Sequence, residues 1–244
     1  MAGIIELDKV TFSADGNIIV REFSYSFEEG KTTAIVGPSG SGKSTVLKLA
    51  AGILVPTEGV VNFRGNDIFA MSRQENLDFR REASMVFQDA ALWANQNLDE
   101  NLNLPLLTHF PEMSAADRKR RVNEVLGQVG YKRALNMRPS QLSMGEQKLI
   151  AFARALLCRP KLLFLDEWTE SLDDSAANRA AQIVRRHRQE GNSVIFVSHD
   201  FRFVKGLADY IVMIVGGAFS SVVTHEQIEN DEDLANRIES GITS

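Results

Sequence analysis

A glycine-rich run between a strand-like and a helix-like segment carries the clearest chemical signal in the sequence. It consists of Gly37, Pro38, Ser39, Gly40, Ser41, Gly42, Lys43, Ser44 and Thr45. Residues 37–44, called the phosphate loop below, fit the pattern G-x-x-x-x-G-K-[ST]. Glycines let consecutive backbone N–H groups point at phosphate oxygens, and the helix that follows adds the positive end of its dipole. We therefore expect Lys43 to contact nucleotide phosphates and the Ser44 hydroxyl to be a ligand of Mg²⁺.

Two carboxylates follow a strongly apolar, strand-like segment in the second half of the chain. Asp166 and Glu167 come directly after residues 161–165. Ligands of open α/β sheets bind beyond the carboxyl ends of the strands, so both acids are expected near the phosphate loop. Asp166 is then placed to hold Mg²⁺, and Glu167 can accept a proton from an attacking water. The pattern predicts nucleotide hydrolysis, and the lack of an Asn-Lys-x-Asp motif weakens the GTPase alternative.

The elements that must position these groups alternate between strands and helices. Continuous apolar strands separated by helices imply a mostly parallel sheet that is covered on both faces. A turn around Asp15 and Gly16 joins the first two strands, and a helix is predicted from Lys43 to about Ala51, where Gly52 ends it. The predicted strands cover residues 4–12, 18–27, 32–36, 59–63, 85–87, 162–165, 193–197 and 210–215.

The stretch between Gln88 and Gln141 has a different character, because strand-like runs disappear from it. Apolar residues recur there at helical spacing, at Val122, Val125 and Val129. The sequence therefore predicts a helical insert at residues 89–141 within a single domain that covers residues 1–244. Residues 1–88 and 142–224 would form the nucleotide-binding lobe, and residues 225–244 a short C-terminal tail.

Composition narrows the class of protein. The chain has 244 residues, a formal net charge of −5, 44% hydrophobic residues and 24% charged residues, as in ordinary globular proteins. The net negative charge argues against a protein that binds nucleic acid mainly by neutralising its phosphates. The single cysteine, Cys158, excludes an intrachain disulfide and a cysteine-based zinc site. We expect a cytosolic chain, since no segment has the 18 to 20 apolar residues that a membrane span needs and no signal peptide is recognisable.

Four more motifs occur in a fixed order along the chain. Residues 142–147, called the signature segment below, read Leu-Ser-Met-Gly-Glu-Gln, and Gln88 follows a short strand. Ser171-Leu172-Asp173 follows the two acids, and His199 follows the strand at 193–197. Together with the phosphate loop, these motifs resemble those of the ATP-binding cassette (ABC) ATPases, the nucleotide-binding subunits of ABC transporters. The resemblance covers residues 4–225 and implies an α/β P-loop NTPase fold, with a mostly parallel RecA-like core sheet, an antiparallel β subdomain and an inserted α-helical subdomain.

The resemblance also implies a mechanism. Two copies would pack head to tail on two MgATP, and Ser143, Gly145 and Asp173 of one copy would contact the nucleotide of the other. Glu167 would be the general base, oriented by His199. Gln88 would bind Mg²⁺ or water and move with the helical insert. A separate membrane permease would be the second partner, which places the chain peripherally at the cytoplasmic face of the inner membrane.

The signature segment also has a meaning of its own. Ser143 and Glu146 have the spacing of a capping box at the start of a helix that reaches Leu157. A helix N-terminus with a nearby glycine, here Gly145, is a good anion site. This property agrees with the role that the family assigns to the segment.

The sequence departs from the family pattern at four positions. Ala14 stands where an aromatic residue would stack on adenine, and Met144 where the signature has glycine. Glu146 replaces a frequent glutamine, and Trp168 replaces the usual proline. None of these changes removes a catalytic group, so we expect an active ATP hydrolase with a weaker grip on adenine.

The substrate is less determined. Residues 101–106 are similar to a run in cassettes of importers and lipid-trafficking systems, and residues 231–241 resemble the short tail of phospholipid-trafficking cassettes associated with mammalian-cell-entry proteins. Lipoprotein-release, efflux and small-solute import cassettes remain alternatives, as does a regulatory or assembly module at the membrane, for instance in cell division. The basic runs at 118–121 and 185–188 are interpreted as solvated helix faces, with anionic lipid headgroups as the alternative contact.

Overall fold

The computed structural model describes residues 3–243, and the elements are numbered in chain order. The strands are β1 (Gly3–Ala14), β2 (Asn17–Glu28), β3 (Thr32–Val36), β4 (Glu58–Phe63), β5 (Asn66–Asp67), β6 (Ala83–Val86), β7 (Leu162–Asp166), β8 (Ser193–Val197), β9 (Tyr210–Val215) and β10 (Ala218–Thr224). The helices are α1 (Lys43–Ala50), α2 (Arg73–Glu82), α3 (Leu98–His109), α4 (Ala115–Val129), α5 (Met144–Leu156), α6 (Asp174–Gln189), α7 (Phe201–Leu207), α8 (His225–Asn230) and α9 (Glu232–Thr243). A short 3-10 turn at Pro139–Gln141 precedes α5.

Two sheets organise the described part of the chain. The larger sheet has the order β10-β9-β3-β8-β7-β6, and its strands are parallel except for β10, which pairs antiparallel with β9. The smaller sheet has the order β2-β1-β4-β5 and is antiparallel throughout. Every residue of β3, β7 and β8 is buried, as expected for parallel strands covered on both faces. The predicted α/β fold with a mostly parallel core sheet is confirmed.

The larger sheet separates two apolar cores. Successive side chains of a strand point to opposite faces, so Leu163 and Leu165 of β7 join one core while Leu162 and Phe164 join the other. The first core lies between the sheet and helices α3 to α9. The second lies between the sheet, helix α1 and the antiparallel strands. The strand ends at the site are thus held rigidly from both sides.

Several elements differ from the sequence prediction. The strand predicted at 85–87 is β6, which begins at Ala83 and ends at Val86. Helix α2 was not predicted, because Phe79 is its one buried side chain and it shows no apolar periodicity. Its start is fixed locally instead, by a capping box between Ser72 and Glu75. Strand β10 and the tail helices α8 and α9 were also not predicted.

The stretch at 89–141, all of it within the described residues, holds α3, α4 and the 3-10 turn and no strand. Its buried side chains, among them Leu102 and Val125, join the same core as the larger sheet. The helical content agrees with the predicted insert, and the division into lobe, insert and tail stays a prediction.

Candidate nucleotide-binding and hydrolysis site

The phosphate loop connects the buried end of β3 to the first turn of α1. Gly42 is the N-cap of α1 in a left-handed conformation, with φ 94°, and the first turn contains no acidic residue. At Gly37, with φ 150°, an added Cβ would lie 2.1 Å from the Ile214 carbonyl oxygen. Only glycine fits this close approach to β9. The N-terminal N–H groups of α1 are therefore presented by a tightly packed loop without a side-chain cap.

The side chain of Lys43 folds back onto the phosphate loop. Its Nζ donates to the carbonyl oxygens of Gly37 and Pro38, at 2.8 and 2.9 Å, and the residue is 7% exposed. Burial lowers the pKa of Lys43, and the carboxylates of Glu167 and Asp166 act in the opposite direction. A phosphate that binds this ammonium would therefore replace two backbone carbonyl oxygens as its hydrogen-bond acceptor.

Ser44 and Asp166 meet at the carboxyl end of β7. The Ser44 hydroxyl donates to Asp166 Oδ1 at 2.7 Å, and Asp166 is fully buried. Asp166 Oδ2 is buried without a hydrogen bond and has the Lys48 ammonium 3.8 Å away. Ser44 and Asp166, both proposed from the sequence as Mg²⁺ ligands, thus lie together although 122 positions separate them in the chain.

Glu167 and His199 form a second pair beside the first. Strands β7 and β8 are neighbours with Asp166 opposite Val197, so the residues that follow both strands lie side by side. His199 Nε2 lies 3.2 Å from Glu167 Oε1, and the His199 backbone N–H donates to Glu167 Oε2 at 3.2 Å. Burial raises the pKa of Glu167, and His199 opposes this shift. A carboxylate with a raised pKa and one orienting partner is suited to accept a proton from water.

Gln88 lies on the loop after β6, where its amide donates to Glu170 Oε2 at 3.1 Å. It lines a cavity of about 630 Å³ together with Lys48, Met144 and Glu170. The fold thus brings the loop after β6 next to the signature segment. The hydrogen bond of Gln88 is to a carboxylate, and its expected contact with Mg²⁺ or water stays a prediction.

The signature segment forms the capped start of α5. The Glu146 backbone N–H donates to Ser143 Oγ at 3.2 Å, and the Ser143 N–H donates to Glu146 Oε2 at 2.9 Å. Arg133 holds both carboxylate oxygens of Glu146, at 2.8 and 3.0 Å. A Cβ on Gly145 would lie 2.5 Å from the Ser171 carbonyl oxygen, while the side chain of Met144 is 46% exposed. The expected capping box is present, and one side of the segment faces outward.

Asp173 is the N-cap of α6, where its Oδ1 accepts a hydrogen bond from the Ala176 N–H at 2.8 Å. This contact fixes the start of α6 directly after the chain has passed the signature segment at Ser171. The expected contact between Asp173 and the nucleotide of a second copy stays a prediction.

Charged residues of the site were missed by the sequence analysis, among them Lys48, whose ammonium lies 3.8 Å from Asp166 Oδ2. Lys148 on α5 is 2% exposed, and its Nζ donates to the Glu167 carbonyl oxygen at 2.5 Å. Glu170 accepts the hydrogen bond from Gln88. A signal for Lys148 existed, because it shares the apolar stripe of α5 with Ala151 and Ala155 at helical spacing. Charged residues on such a stripe are rarely buried unless they are paired.

Trp168 takes a structural place beside the site. It is 2% exposed and packs between Phe152 of α5 and Phe203 of α7, with ring centroids 5.9 and 5.7 Å apart. Tryptophan in place of the family's usual proline thus adds an aromatic contact between α5 and α7, the helix that follows His199.

Comparisons with known proteins agree with this geometry. Residues 20–170 match the ABC transporter family. The chain is 33% identical over 234 residues to the intermembrane phospholipid transport system ATP-binding protein MlaF of Haemophilus influenzae, covering 95% of this chain and 88% of that protein. It is 30% identical over 219 residues to a probable amino-acid ABC transporter ATP-binding protein of the same organism, covering 88% of this chain and 85% of that one.

A solved structure has the same fold. It is the dimeric structure of a post-hydrolysis state of the ATP-binding cassette MJ0796 bound to ADP and Pi, with a TM-score of 0.83 and 29% identity, covering 91% of this chain and 98% of that chain. In the described part of the present chain, no helix is long and apolar enough to cross a membrane. The family match over more than half of the chain and the relatives that span nearly all of it show that this protein belongs to the ABC transporter ATP-binding subunits, and it is therefore an ATP-binding ATP hydrolase.

Proposed function

We propose that the chain powers transport by closing head to tail with a second copy on two molecules of MgATP, and that its site residues have the roles their geometry suggests. The observation that carries the proposal is the Glu167–His199 pair, which lies at the ends of β7 and β8 beside the Ser44–Asp166 pair. The phosphate loop would hold the β- and γ-phosphates through its N–H groups and Lys43. Glu167 would accept the proton of the attacking water, and His199 would orient Glu167.

The residues present suit Mg²⁺. Ser44 and Asp166 offer hard oxygen ligands, and Asp166 Oδ2 is buried without a hydrogen bond. The described residues contain no cluster of three or more His, Cys, Asp or Glu side chains for a metal, which fits an ion held by few protein groups together with phosphates. Bound Mg²⁺ would neutralise charge that develops on the phosphates.

A second copy would complete the site. The exposed Met144 and the capped N-terminus of α5 face outward, so a different molecule can reach them. Closure on ATP would bring Ser143 and Gly145 to the γ-phosphate that the other copy holds. Reopening after hydrolysis would move the helices at 89–141, which we propose as the part that transmits motion to a membrane permease.

We propose a lipid as the transported substrate. Support comes from the similarity to a phospholipid transport protein over 95% of this chain. A cassette for a small solute is the second candidate, because a similarity of 30% extends to a probable amino-acid transporter subunit. Purification of the chain with its permease from native membranes, followed by lipid and solute analysis of the complex, distinguishes the two. A permease without bound or translocated lipid would contradict the lipid proposal.

The Glu167→Gln variant tests the hydrolytic mechanism. Loss of the proton acceptor should reduce ATP turnover at least about a hundredfold, since general-base catalysis contributes roughly 10²–10⁴. It should also leave a dimer that forms only with ATP, measured by size-exclusion chromatography. Glu112→Gln, at an exposed position in the loop before α4, is the matched control and should behave like wild type. Hydrolysis at the wild-type rate in Glu167→Gln would remove the proposed base.

A further inference from the structure

Lys148 is a cation enclosed within the protein on the first turns of α5. It is 2% exposed, and its ammonium donates to the backbone carbonyl of Glu167 at 2.5 Å. The carboxylates of Glu170, Glu167, Asp166 and Asp89 surround it at longer range. Burial of an ammonium is costly, and a methionine of similar length would fill the same space without that cost. An ammonium at this position therefore indicates a role for its charge beside these carboxylates and for its N–H donors at the Glu167 carbonyl.

The residue that Lys148 contacts has an unusual backbone conformation. Glu167 has φ 43°, in the left-handed region that non-glycine residues rarely adopt. Its N–H donates to the Val197 carbonyl oxygen at 3.1 Å, and its own carbonyl accepts from the Lys148 ammonium and, at 3.2 Å, from the Glu170 N–H of the following turn. Strain of this kind persists only where the surroundings fix it. Both hydrogen-bonding groups of the Glu167 backbone are fixed, the N–H by β8 and the carbonyl by the following turn together with Lys148, its one side-chain contact from α5.

We propose that Lys148 is a positioning residue for ATP hydrolysis, whose ammonium holds the Glu167 backbone in the conformation that points its carboxylate at His199 and the attacking water. The inference rests on the proposed role of Glu167 as the base. Lys148 contacts neither the phosphate loop nor the Ser44–Asp166 pair in the hydrogen bonds described. Its loss should therefore slow the hydrolytic step and leave ATP binding intact.

The position of Lys148 gives this contact a second consequence. It lies five residues after Ser143 on the same helix, which is about 7–8 Å along the helix axis. Any shift of the signature segment when it meets the nucleotide of a second copy therefore reaches Glu167 through one hydrogen bond. The base of one copy is thus linked mechanically to the signature segment of the same copy.

The test compares Lys148→Met and Lys148→Gln with Arg121→Gln. Arg121 is the matched control because it is a mostly buried cation that donates to the carbonyls of Leu156 and Leu157 at the other end of α5. We expect Lys148→Met to lower kcat about tenfold or more, with the KM for ATP and the affinity for a fluorescent ATP analogue within about twofold of wild type. Its Tm should fall, because the buried carboxylates of Asp166 and Glu167 lose a neighbouring cation. Lys148→Gln keeps an N–H donor on a shorter stem and should recover part of kcat.

Arg121→Gln should lower Tm and leave kcat near the wild-type value. The inference is overturned if Lys148→Met retains kcat, or if kcat and ATP affinity fall together in both Lys148 variants. If Lys148→Met fails to fold, the kcat of Lys148→Gln relative to its ATP affinity decides in the same way. If Glu167→Gln abolishes turnover while both Lys148 variants turn over normally, only this inference fails. If Glu167→Gln itself turns over normally, the proposed base fails first.

Discussion

The molecule contains two helix N-termini that the mechanism requires, and they are built differently. Helix α1 begins at Gly42, which offers no side-chain cap, and its first turn has no acidic residue. Helix α5 begins at Ser143, which caps it, and Glu146 in its first turn closes a capping box. The first N-terminus leaves its N–H groups and its dipole to an incoming ligand, whereas the second is already partly satisfied by its own side chains.

The difference indicates how binding is divided between the two ends. An end without cap or carboxylate can hold nucleotide phosphates within one copy. At the other end, the negative charge of Glu146 would oppose an approaching phosphate, and Arg133 is placed to neutralise it at 2.8 Å. The Arg133 and Ser143 hydrogen bonds hold the pKa of Glu146 below its ordinary value, so the carboxylate stays charged and paired. We infer that α1 supplies affinity and that α5 supplies a later, weaker contact between copies.

Lys43→Ala should have the largest effect, because it removes the ammonium that the phosphate loop itself encloses. A hydrogen bond to a charged group contributes roughly 1.5–3 kcal/mol, so ATP affinity should fall about tenfold to a hundredfold, with hydrolysis lost. Titration with a fluorescent ATP analogue measures the change. Lys205→Ala, at an exposed position on α7, is the control. ATP binding by Lys43→Ala as tight as that of the wild type would contradict the inference that the N-terminus of α1 supplies the affinity.

The two N-termini function only in the folded chain, and the buried His187 of α6 makes the stability of the fold depend on pH. Burial within α6 lowers the pKa of His187 to about 4. Between pH 6.5 and 4 the unfolded chain binds a proton that the folded chain does not, so stability falls as the pH falls through this window. The loss should reach about 2–3 kcal/mol near pH 4.5, measured by urea unfolding. In His187→Gln the same interval should show a smaller slope, and an unchanged slope would contradict the assignment.

Gly145→Ala should impair the N-terminus of α5 without affecting ATP binding at the N-terminus of α1. The added Cβ would lie 2.5 Å from the Ser171 carbonyl oxygen, and an overpacked contact costs roughly 1–3 kcal/mol. Hydrolysis should fall about tenfold, while ATP affinity of the separate chain stays unchanged. Gly127→Ala on α4 is the matched control, because its Cβ meets open space in a helix and should stabilise the chain slightly. Equal effects of the two substitutions would show that the close approach at Gly145 is unimportant.

Arg133→Ala should have the smallest effect, since exposed ion pairs are weak. Leaving Glu146 uncompensated should reduce ATP turnover by about twofold to fivefold without changing ATP binding. The Arg133→Ala, Glu146→Gln double variant should regain the lost rate, because it removes the charge that needed a partner. A further loss in the double variant would mean that Arg133 acts on something other than Glu146. Steady-state turnover of the wild type, Arg133→Ala, Glu146→Gln and the double variant at saturating ATP measures both outcomes.

Features that depend on a few neighbouring residues could be predicted from the sequence. The phosphate loop, the Ser143–Glu146 capping box and the buried strands β3, β7 and β8 are of this kind. The hydrogen bonds that define the first two, and the apolar runs that define the strands, lie within about ten residues of the chain. Helix α2 was missed although its capping box is also a local feature. Apolar periodicity was the signal sought, and Phe79 is the one buried side chain of this helix.

The contacts that link distant segments were decided by the tertiary structure. The order of β3, β8 and β7 in the sheet brings Ser44 to Asp166 and His199 to Glu167, as the motifs led us to expect. No local pattern, however, indicates that Lys148 reaches the Glu167 carbonyl. Residue types and spacing determined which chemistry this chain can perform. The packing of α5 against the sheet decided how the Glu167 backbone is held, because the hydrogen bond from Lys148 joins elements whose approach only the folded core defines.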